Sequence, residues 1–458
     1  MFKKIEIWVL YLTLVLVIIS YIIFGALVRK ATIQKLKYNK QHDRTINGSI
    51  SKIAYFFAEI PHNLRRIGKV PWRVPNRFNL NQAGFVGETH KNDLYLLLSR
   101  YDGDLNESIV QLIDLKTFEI LHTWNPQFDL FYRGLKKDEK FKFKRLKIDN
   151  NDRRSGIFHP LIDEFGSILF QSNGSPLLKI NKNSELEWLK SDESYHHSVE
   201  KDFEGNYWVC IWYYPYKIDA KYVGTEHGNY DNDGIRKISS DGDILFEKSI
   251  FELFVEHEME YLLFSTTDDF KKDPIHLNDI QPIEKDTKYW KKGDVFLSFR
   301  NLSLVILYRP GTNEIIWKSK PNKFFNQHDV DIVENNKISI FDNNMKHLFD
   351  GRRVDGNNRV VMYDFETDKY STYLNKSMER EDVRTKLSGR SQILPNGDLA
   401  IEESGNGRFL YFSSKGELKW TYFNRASDNE LYHLFWSRIL YRNENIAIVN
   451  NFLESMSK

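Results

Sequence analysis

A single cysteine, Cys210, rules out an intramolecular disulfide and any paired-cysteine metal site, though it does not identify a redox compartment. There is no GxxxxGK[ST] loop, no GxSxG elbow and no HExxH pair. Nucleotide-dependent, serine-hydrolase and zinc-protease chemistries therefore have no support. A strong net charge is also missing: the total is +2. Residues 1–44 carry eight cationic side chains against Glu6 and Asp43, so the remainder is mildly acidic at −4. That balance argues against nucleic acid as a partner. Prolines are few, 12 in 458 residues, and only one apolar run is long.

Apolar residues reach 41%, enough for a sizeable core, so the chain is not a disordered one. Aromatics are abundant, with 24 Tyr, 32 Phe and 10 Trp, which favours strands. The long apolar run is Ile7 to Val28, 22 residues. At ~1.5 Å per residue it crosses a hydrocarbon core ~30 Å thick. No small-x-small cleavage site follows, so the run reads as an uncleaved single-pass anchor. Positive charge is greater on its C-terminal side, which by itself would place the body in the cytoplasm.

Three segments are expected: an anchor over 1–30, a juxtamembrane linker over 31–78, and a β domain over 79–458. Residues 29–49 are basic and polar. Ser51 to Ile60 reads as a short amphipathic helix, with Ile53, Phe56, Phe57 and Ile60 at helical spacing, expected to pack on the body. From about Gly84 a self-similar unit recurs six times: a polar residue, a strand, a Gly, Asn or Asp turn, then an apolar strand. The units begin near Gly84, His159, His197, His276, His328 and Arg390. Several end in a second hairpin that closes on Trp124, Trp188, Trp317 or Trp420. Two hairpins per unit predict six four-stranded sheets, an all-β six-bladed propeller behind a single N-terminal transmembrane helix. Tyr213–Tyr230 and Leu253–Pro274 read as insertions. Ile439–Phe452 is expected to be a strand completing the first blade. Tyr230-Asp231-Asn232-Asp233-Gly234 lacks the spacing of a calcium loop and reads as an insertion loop. Lys136–Lys147 alternates basic and apolar residues, as an exposed edge strand does.

Aligning the units puts His159, His197, His276, His328 and Arg390 at one equivalent place, the start of the first strand. Innermost strands of a propeller surround its axis, so these residues form one candidate cationic pocket. Arg300 ends the next strand of the fourth unit. Asn278 should point to the same side as His276, and His196 should face away from His197. A recurring histidine often serves structural hydrogen bonding, which suits His159 and Arg390 best. His276, Arg300 and His328 are the functional candidates, with His197 between the two groups.

At His276-Leu277-Asn278-Asp279, Ser298-Phe299-Arg300-Asn301-Leu302-Ser303 and Gln327-His328-Asp329 the chain resembles the bacterial arylsulfate sulfotransferase family, enzymes independent of phosphoadenosine phosphosulfate. The likeness covers roughly residues 155–425. It implies a six-bladed propeller and a ping-pong reaction. A phenolic sulfate would donate its sulfuryl group to His328, and a second phenol would accept it. The resemblance puts the sulfuryl cradle at His197, His276, Asn278 and Arg300; His196, which adjoins His197, and His159 and Arg390, from the repeat alignment, are further substrate-side candidates. It implies no metal or organic cofactor, allows a homodimer, and places the propeller outside the cytoplasmic membrane, against the charge count. Two other functions fit parts of the pattern: a membrane-anchored binding or sensor propeller without turnover, and a quinoprotein-like dehydrogenase, which would need eight blades.

Overall fold

The computed structural model describes residues 6–37, 50–51, 53–61, 71–135, 143, 146, 149–214, 218, 222, 230–265, 273–348 and 351–456. The chain divides into two compact units, residues 1–70 with 219–230, and residues 71–218 with 231–458.

The first unit is dominated by one helix, Ile7–Lys37. Its apolar part, Ile7–Thr32, is long and apolar enough to cross a membrane, and no residue of its most apolar window is buried. An all-round apolar surface suits a helix in lipid, not one with a single packed face. The helix runs on through residues 31–37, where the sequence suggested a linker. Residues 53–61 are helical as expected. Ile53, Phe56 and Phe57 are more than half exposed.

The second unit is mainly β and propeller-like. Three sheets are four-stranded antiparallel meanders. In the first, Tyr95–Asp102, Glu107–Asp114 and Glu119–Trp124 are completed by Arg438–Leu440. The second is built from Leu277–Pro282, Val295–Phe299, Leu304–Arg309 and Glu314–Lys318. The third is built from His328–Glu334, Lys337–Asp342, Arg359–Asp364 and Lys369–Tyr373. A fourth sheet has Arg390–Ile393, Leu399–Glu403, Arg408–Phe412 and Leu418–Phe423, with Gly84–Gly87 as a fifth, outer strand. Strand pairing begins earlier still, where Arg73–Val74 meets Leu431–Tyr432.

Six separate sheets were expected, and four blade sheets form. The units that begin at His159 and His197 are merged into one seven-stranded sheet. The cause is a single strand of 16 residues, Leu186–Lys201, which pairs with Ser175–Ile180 at one end and Tyr207–Trp212 at the other. The eight blades of a quinoprotein are not formed among the described residues. Gly84 does not open an inner strand either; its strand lies on the outside of the last sheet. The expected strand Ile439–Phe452 is short, Arg438–Leu440, and is followed by the helix Asn443–Met456. Ile446, Val449, Phe452 and Leu453 of that helix pack with residues of the first sheet and of the seven-stranded sheet.

The turns follow side-chain chemistry. Asp163 Oδ1 accepts the backbone N–H groups of Phe165 and Ser167, and Asp202 Oδ1 those of Glu204 and Asn206. Each is an Asx turn that lets the following glycine reverse the chain. Apolar clusters fill the spaces between neighbouring sheets. Leu96, Leu98 and Ile113 pack on Phe409, Tyr411 and Trp420. Phe296 and Leu307 meet Val330, Ile340 and Val361. Phe341 and Val360 meet Leu399, Ile401 and Leu410. Sheets packed face to face in sequence bring their first strands together. Of the proposed edge strand Lys136–Lys147, only Phe143 and Leu146 lie within the described residues, and both are buried. Of the two insertions, residues 215–217, 219–221, 223–229 and 266–272 lie outside the described residues.

Candidate active site

The first strands begin with an unusual backbone. His159, His197 and His276 have φ of 50°, 54° and 57°, and Asp329 follows His328 at 60°. Trp436, two residues before the strand Arg438–Leu440, has φ of 63°. Gly389, just before Arg390, has φ of 96°, and a Cβ there would meet the Phe341 ring at 2.7 Å. Left-handed conformations are uncommon outside glycine and cluster at functional sites. They coincide with register shifts at Phe158/Leu161, Leu277/Asp279 and His328/Val330. Such bulges break strand alternation and re-aim side chains.

The re-aimed side chains meet. The His197 and His276 rings are 4.9 Å apart, and His197 and His328 are 6.5 Å apart. One ring nitrogen from each of the three lies within 4.8 Å of the others, close enough to share one small guest. The Trp436 indole lies 6.1 Å from the His328 ring, 6.2 Å from His197 and 5.3 Å from His159. Trp436 therefore takes the equivalent place at the start of the first blade's inner strand, and its backbone N–H donates to Glu402 Oε1 at 2.8 Å.

His328 is buried and its tautomer is fixed. Its Nδ1 lies 2.6 Å from Asn343 Oδ1. The Asn343 amide nitrogen donates to the carbonyls of Thr385 and Ser388, so its oxygen must face the imidazole. A carbonyl oxygen only accepts, so Nδ1 carries the proton and Nε2 keeps its lone pair. Burial, then the Arg300 charge, holds the imidazole well below its ordinary range, so it is neutral.

Arg300 opens a short 3-10 turn that Ser303 closes at φ 48°. Its backbone N–H donates to the His276 carbonyl at 3.0 Å, which joins the two residues across the strand pair. Its Nη1 donates to Asn301 Oδ1 at 2.8 Å, while Nε and Nη2 are buried with no partner. Burial, then the charge of Arg352, pushes its pKa down to about 10, so it stays cationic at neutral pH. A buried cation with two unused donors is costly unless an anion completes it. A metal ion would meet the same three imidazoles, but this fixed positive charge opposes a cation there.

The motif serines explain themselves in space. Ser298 Oγ accepts from Gln327 Nε2, and Ser303 Oγ accepts the backbone N–H of Asn326, both at 3.1 Å. They hold the segment that leads into His328. Asn278 is fully buried and its Nδ2 donates to the Gln327 carbonyl at 2.8 Å, so it braces the same segment from the other side. His196 does not face away as alternation predicted. Its Nδ1 lies 2.8 Å from His197 Nδ1, because the left-handed His197 breaks the alternation. The His196 ring stacks on Trp212 at 4.1 Å. His159 and Arg390 are placed together, with Arg390 Nη1 2.6 Å from His159 Nε2, and His159 Nδ1 facing the Val199 N–H.

Four residues that sequence reasoning passed over belong to the cluster: Asn343, Trp436, Asp273 and Asp233. Asp273 Oδ2 lies 2.5 Å from His276 Nδ1. Asp233 is not in a loop; it starts the strand Asp233–Ile238, accepts from Trp212 Nε1 at 2.9 Å and lies 3.5 Å from His196 Nε2.

The first strands also carry an acidic layer. Asp279 accepts the Val330 N–H and Asp329 the Ser391 N–H, so each stitches one first strand to the next. Burial pushes both carboxyls up to about 7. They hold a proton more tightly folded than unfolded, so their contribution to stability is full at low pH and is lost as pH rises through about 7. His159 and His328, held well below their ordinary range by burial, act in the opposite sense: their contribution is full above pH ~6.5 and lost as pH falls. Asparagine mimics the protonated carboxyl, so the thermal midpoint of Asp279→Asn should gain on that of the wild type as pH rises from 5 to about 7 and run parallel to it from there to pH 9. A difference that does not change between pH 5 and 7 would contradict this account.

Solved structures similar to this chain share little sequence with it. A protein of unknown function from Bacteroides caccae is 13% identical, with a TM-score of 0.45, over 76% of this chain and 99% of that one. A catalytically inactive virginiamycin B lyase from Staphylococcus aureus is 11% identical, with a TM-score of 0.33, over 58% of this chain and 69% of that one. The Dos1 propeller is 9% identical, with a TM-score of 0.38, over 73% and 72%. None of the curated proteins compared matches the chain. The family model Arylsulfotransferase (ASST) matches residues 165–425, more than half of the chain, and includes His197, His276, Arg300 and His328. The chain belongs to the arylsulfotransferase family.

Proposed function

We propose that this protein moves a sulfuryl group from a phenolic sulfate ester to a phenolic acceptor in two steps, through a sulfohistidine at His328. One observation carries the reading. A buried neutral imidazole, its Nδ1–H fixed on Asn343, offers a free Nε2 beside a guanidinium with two unused buried donors. The first is a nucleophile and the second a receptor for oxyanions. Sulfuryl transfer, like phosphoryl transfer, develops charge on peripheral oxygens in a loose transition state, which Arg300 and the protonated form of a neighbouring histidine would stabilise. Trp436 provides an aromatic wall against which a phenyl ring can pack. The test is mass spectrometry after incubation with p-nitrophenyl sulfate: one SO3 should appear on His328 and leave when a phenol is added. A protein that binds the ester and gains no adduct would be a binding module, not a transferase.

We also propose that Ile7–Thr32 anchors the protein in a membrane with the β unit outside the cytoplasm, as the family resemblance implies. Protease added to intact cells should then degrade the β unit. Protection in intact cells and degradation after lysis would place it inside.

A further inference from the structure

Neighbouring sheets join their second and third strands differently. In the second sheet the join is the three-residue turn Arg300–Leu302, and in the fourth it is the three-residue turn Ser404–Asn406. In the third sheet residues 343–358 fill the same place, between Lys337–Asp342 and Arg359–Asp364. The inner strand of that sheet starts at His328, which pairs there with Phe341. The excursion therefore leaves and rejoins the sheet at the end where His328 lies. It contains a two-stranded hairpin, Met345–Leu348 against Gly351–Val354. A join between strands needs no such extension. We infer that this hairpin carries a second anion subsite at the mouth of the pocket, with Arg352 as its cation, and that it selects aryl sulfates bearing a carboxylate on the ring. The inference rests on the transfer reading above and names a feature of its donor.

The base of the hairpin is tied to both His328 and Arg300. Asn343, whose Oδ1 faces His328 Nδ1, stands two residues before it. Asn326 Nδ2 donates to the Met345 carbonyl at 2.9 Å, and the Asn326 backbone N–H donates to Ser303 Oγ at 3.1 Å. The Ser303 N–H donates in turn to the Arg300 carbonyl at 3.1 Å. Asn344 Nδ2 donates to the Asn357 carbonyl at 3.2 Å and so joins the two ends of the excursion. The hairpin is thus pinned to the turn that Arg300 opens.

Strand alternation sets the direction of its side chains. Met345 and Val354 are opposite one another and both are buried, so their face is turned toward the protein. His347 and Arg352 are the next pair on that same face, about 7 Å farther out. Lys346 and Arg353 lie on the other face, where Lys346 Nζ meets Asp355 Oδ2 at 2.5 Å. The electrostatics agree with this placement. After burial, it is the Arg352 charge that lowers the Arg300 pKa, and the charges of Arg352 and Arg300 both lower that of His347. Arg352 therefore overhangs Arg300, with a neutral His347 beside it.

Two cations held over one opening repel each other. The single charge of a sulfate ester matches Arg300, and a second anion matches Arg352. With the ester group beside His328 and Arg300, the far side of the aryl ring points out of the pocket. A carboxylate placed there can accept two parallel N–H groups from the Arg352 guanidinium. An uncharged ring would leave that guanidinium in water, so the subsite discriminates by charge.

The experiment uses the full-length protein with three donors: 4-sulfooxybenzoate, 3-sulfooxybenzoate and the neutral 4-sulfooxybenzamide. The quantity read is the ratio of kcat/KM for the better carboxylate to that for the amide. Arg352→Gln should lower this ratio about fivefold, and Arg352→Glu should lower it further. Arg352→Lys should keep part of it, since charge survives and the planar fork does not. Arg352 is exposed, so these variants should fold. Lys346→Gln, on the opposite face, should leave the ratio as it is. A ratio unmoved by both Arg352→Gln and Arg352→Glu would overturn the inference. So would an equal fall in Lys346→Gln, which would point to the general field of the surface. Wild-type protein that transfers nothing from any donor would overturn the transfer reading instead, and the same ratio taken from dissociation constants would still decide the subsite.

Discussion

His328→Ala is expected to reduce sulfuryl transfer from p-nitrophenyl sulfate to background, a loss of at least about 10³-fold, and to abolish the SO3 adduct. The argument depends on the tautomer more than on the presence of a histidine. Asn343 fixes the proton on Nδ1, and burial beside Arg300 keeps the ring neutral, so the attacking lone pair persists well below the ordinary histidine range. Lowering the pH from 7.5 to 6 should therefore cost the nucleophile little, because its neutral form persists well below the ordinary histidine range. The substitution also opens space among His197, Trp436 and Asn343, and a bound ester would still meet Arg300. Donor binding without turnover is thus the expected residue of function. An alanine variant that transfers at the wild-type rate would end the sulfohistidine mechanism.

Arg300→Ala should lower kcat/KM by about 10²–10³-fold, the usual cost of removing an oxyanion donor. Nε and Nη2 are already desolvated and have no partner to lose, so their donor capacity is pre-organised for a ligand. Arg300→Lys should restore little of the rate. An ammonium supplies charge but not the planar fork, and its shorter reach leaves Asn301 without the Nη1 contact. Alanine should also stabilise the unliganded protein, because it removes a buried cation repelled by Arg352. A gain in thermal midpoint together with lost activity is the signature of a binding cation. A structural one would give loss of both.

The repeat was legible because turns and strand starts are written locally. Asp163 and Asp202 order their turns through their own side chains. The positions His159, His197, His276, His328 and Arg390 follow directly from aligning the units. What the repeat could not reveal came from backbone conformation and from loops. The positive φ at His197 brings His196 to it instead of sending it away. Asn343 reaches His328 from the far end of the hairpin that His328 begins, and Asp273 reaches His276 from an insertion. Neither position has a counterpart in the other units. Trp436 was hidden because the unit it opens was aligned from Gly84, which lies on an outer strand. The helix Asn443–Met456 was misread as a strand although Ile446, Val449 and Phe452 stand at helical spacing. The merged sheet depended on one strand continuing for 16 residues, with no turn signal to announce that its two ends pair with different hairpins.

The first blade draws its inner strand from Arg438–Leu440 and its other three from residues 95–124. The same late segment supplies Trp436 to the wall beside His328. During synthesis, His197, His276, Arg300 and His328 all emerge before that segment does. A nascent chain can therefore carry the proposed nucleophile and oxyanion receptor while its pocket still stands open to water on one side. Closure of the ring and completion of the pocket are one event. Competence for chemistry is thereby tied to the last stage of folding, and a chain that stalls or is clipped before residue 436 should be inert toward its donor however well its earlier sheets have formed.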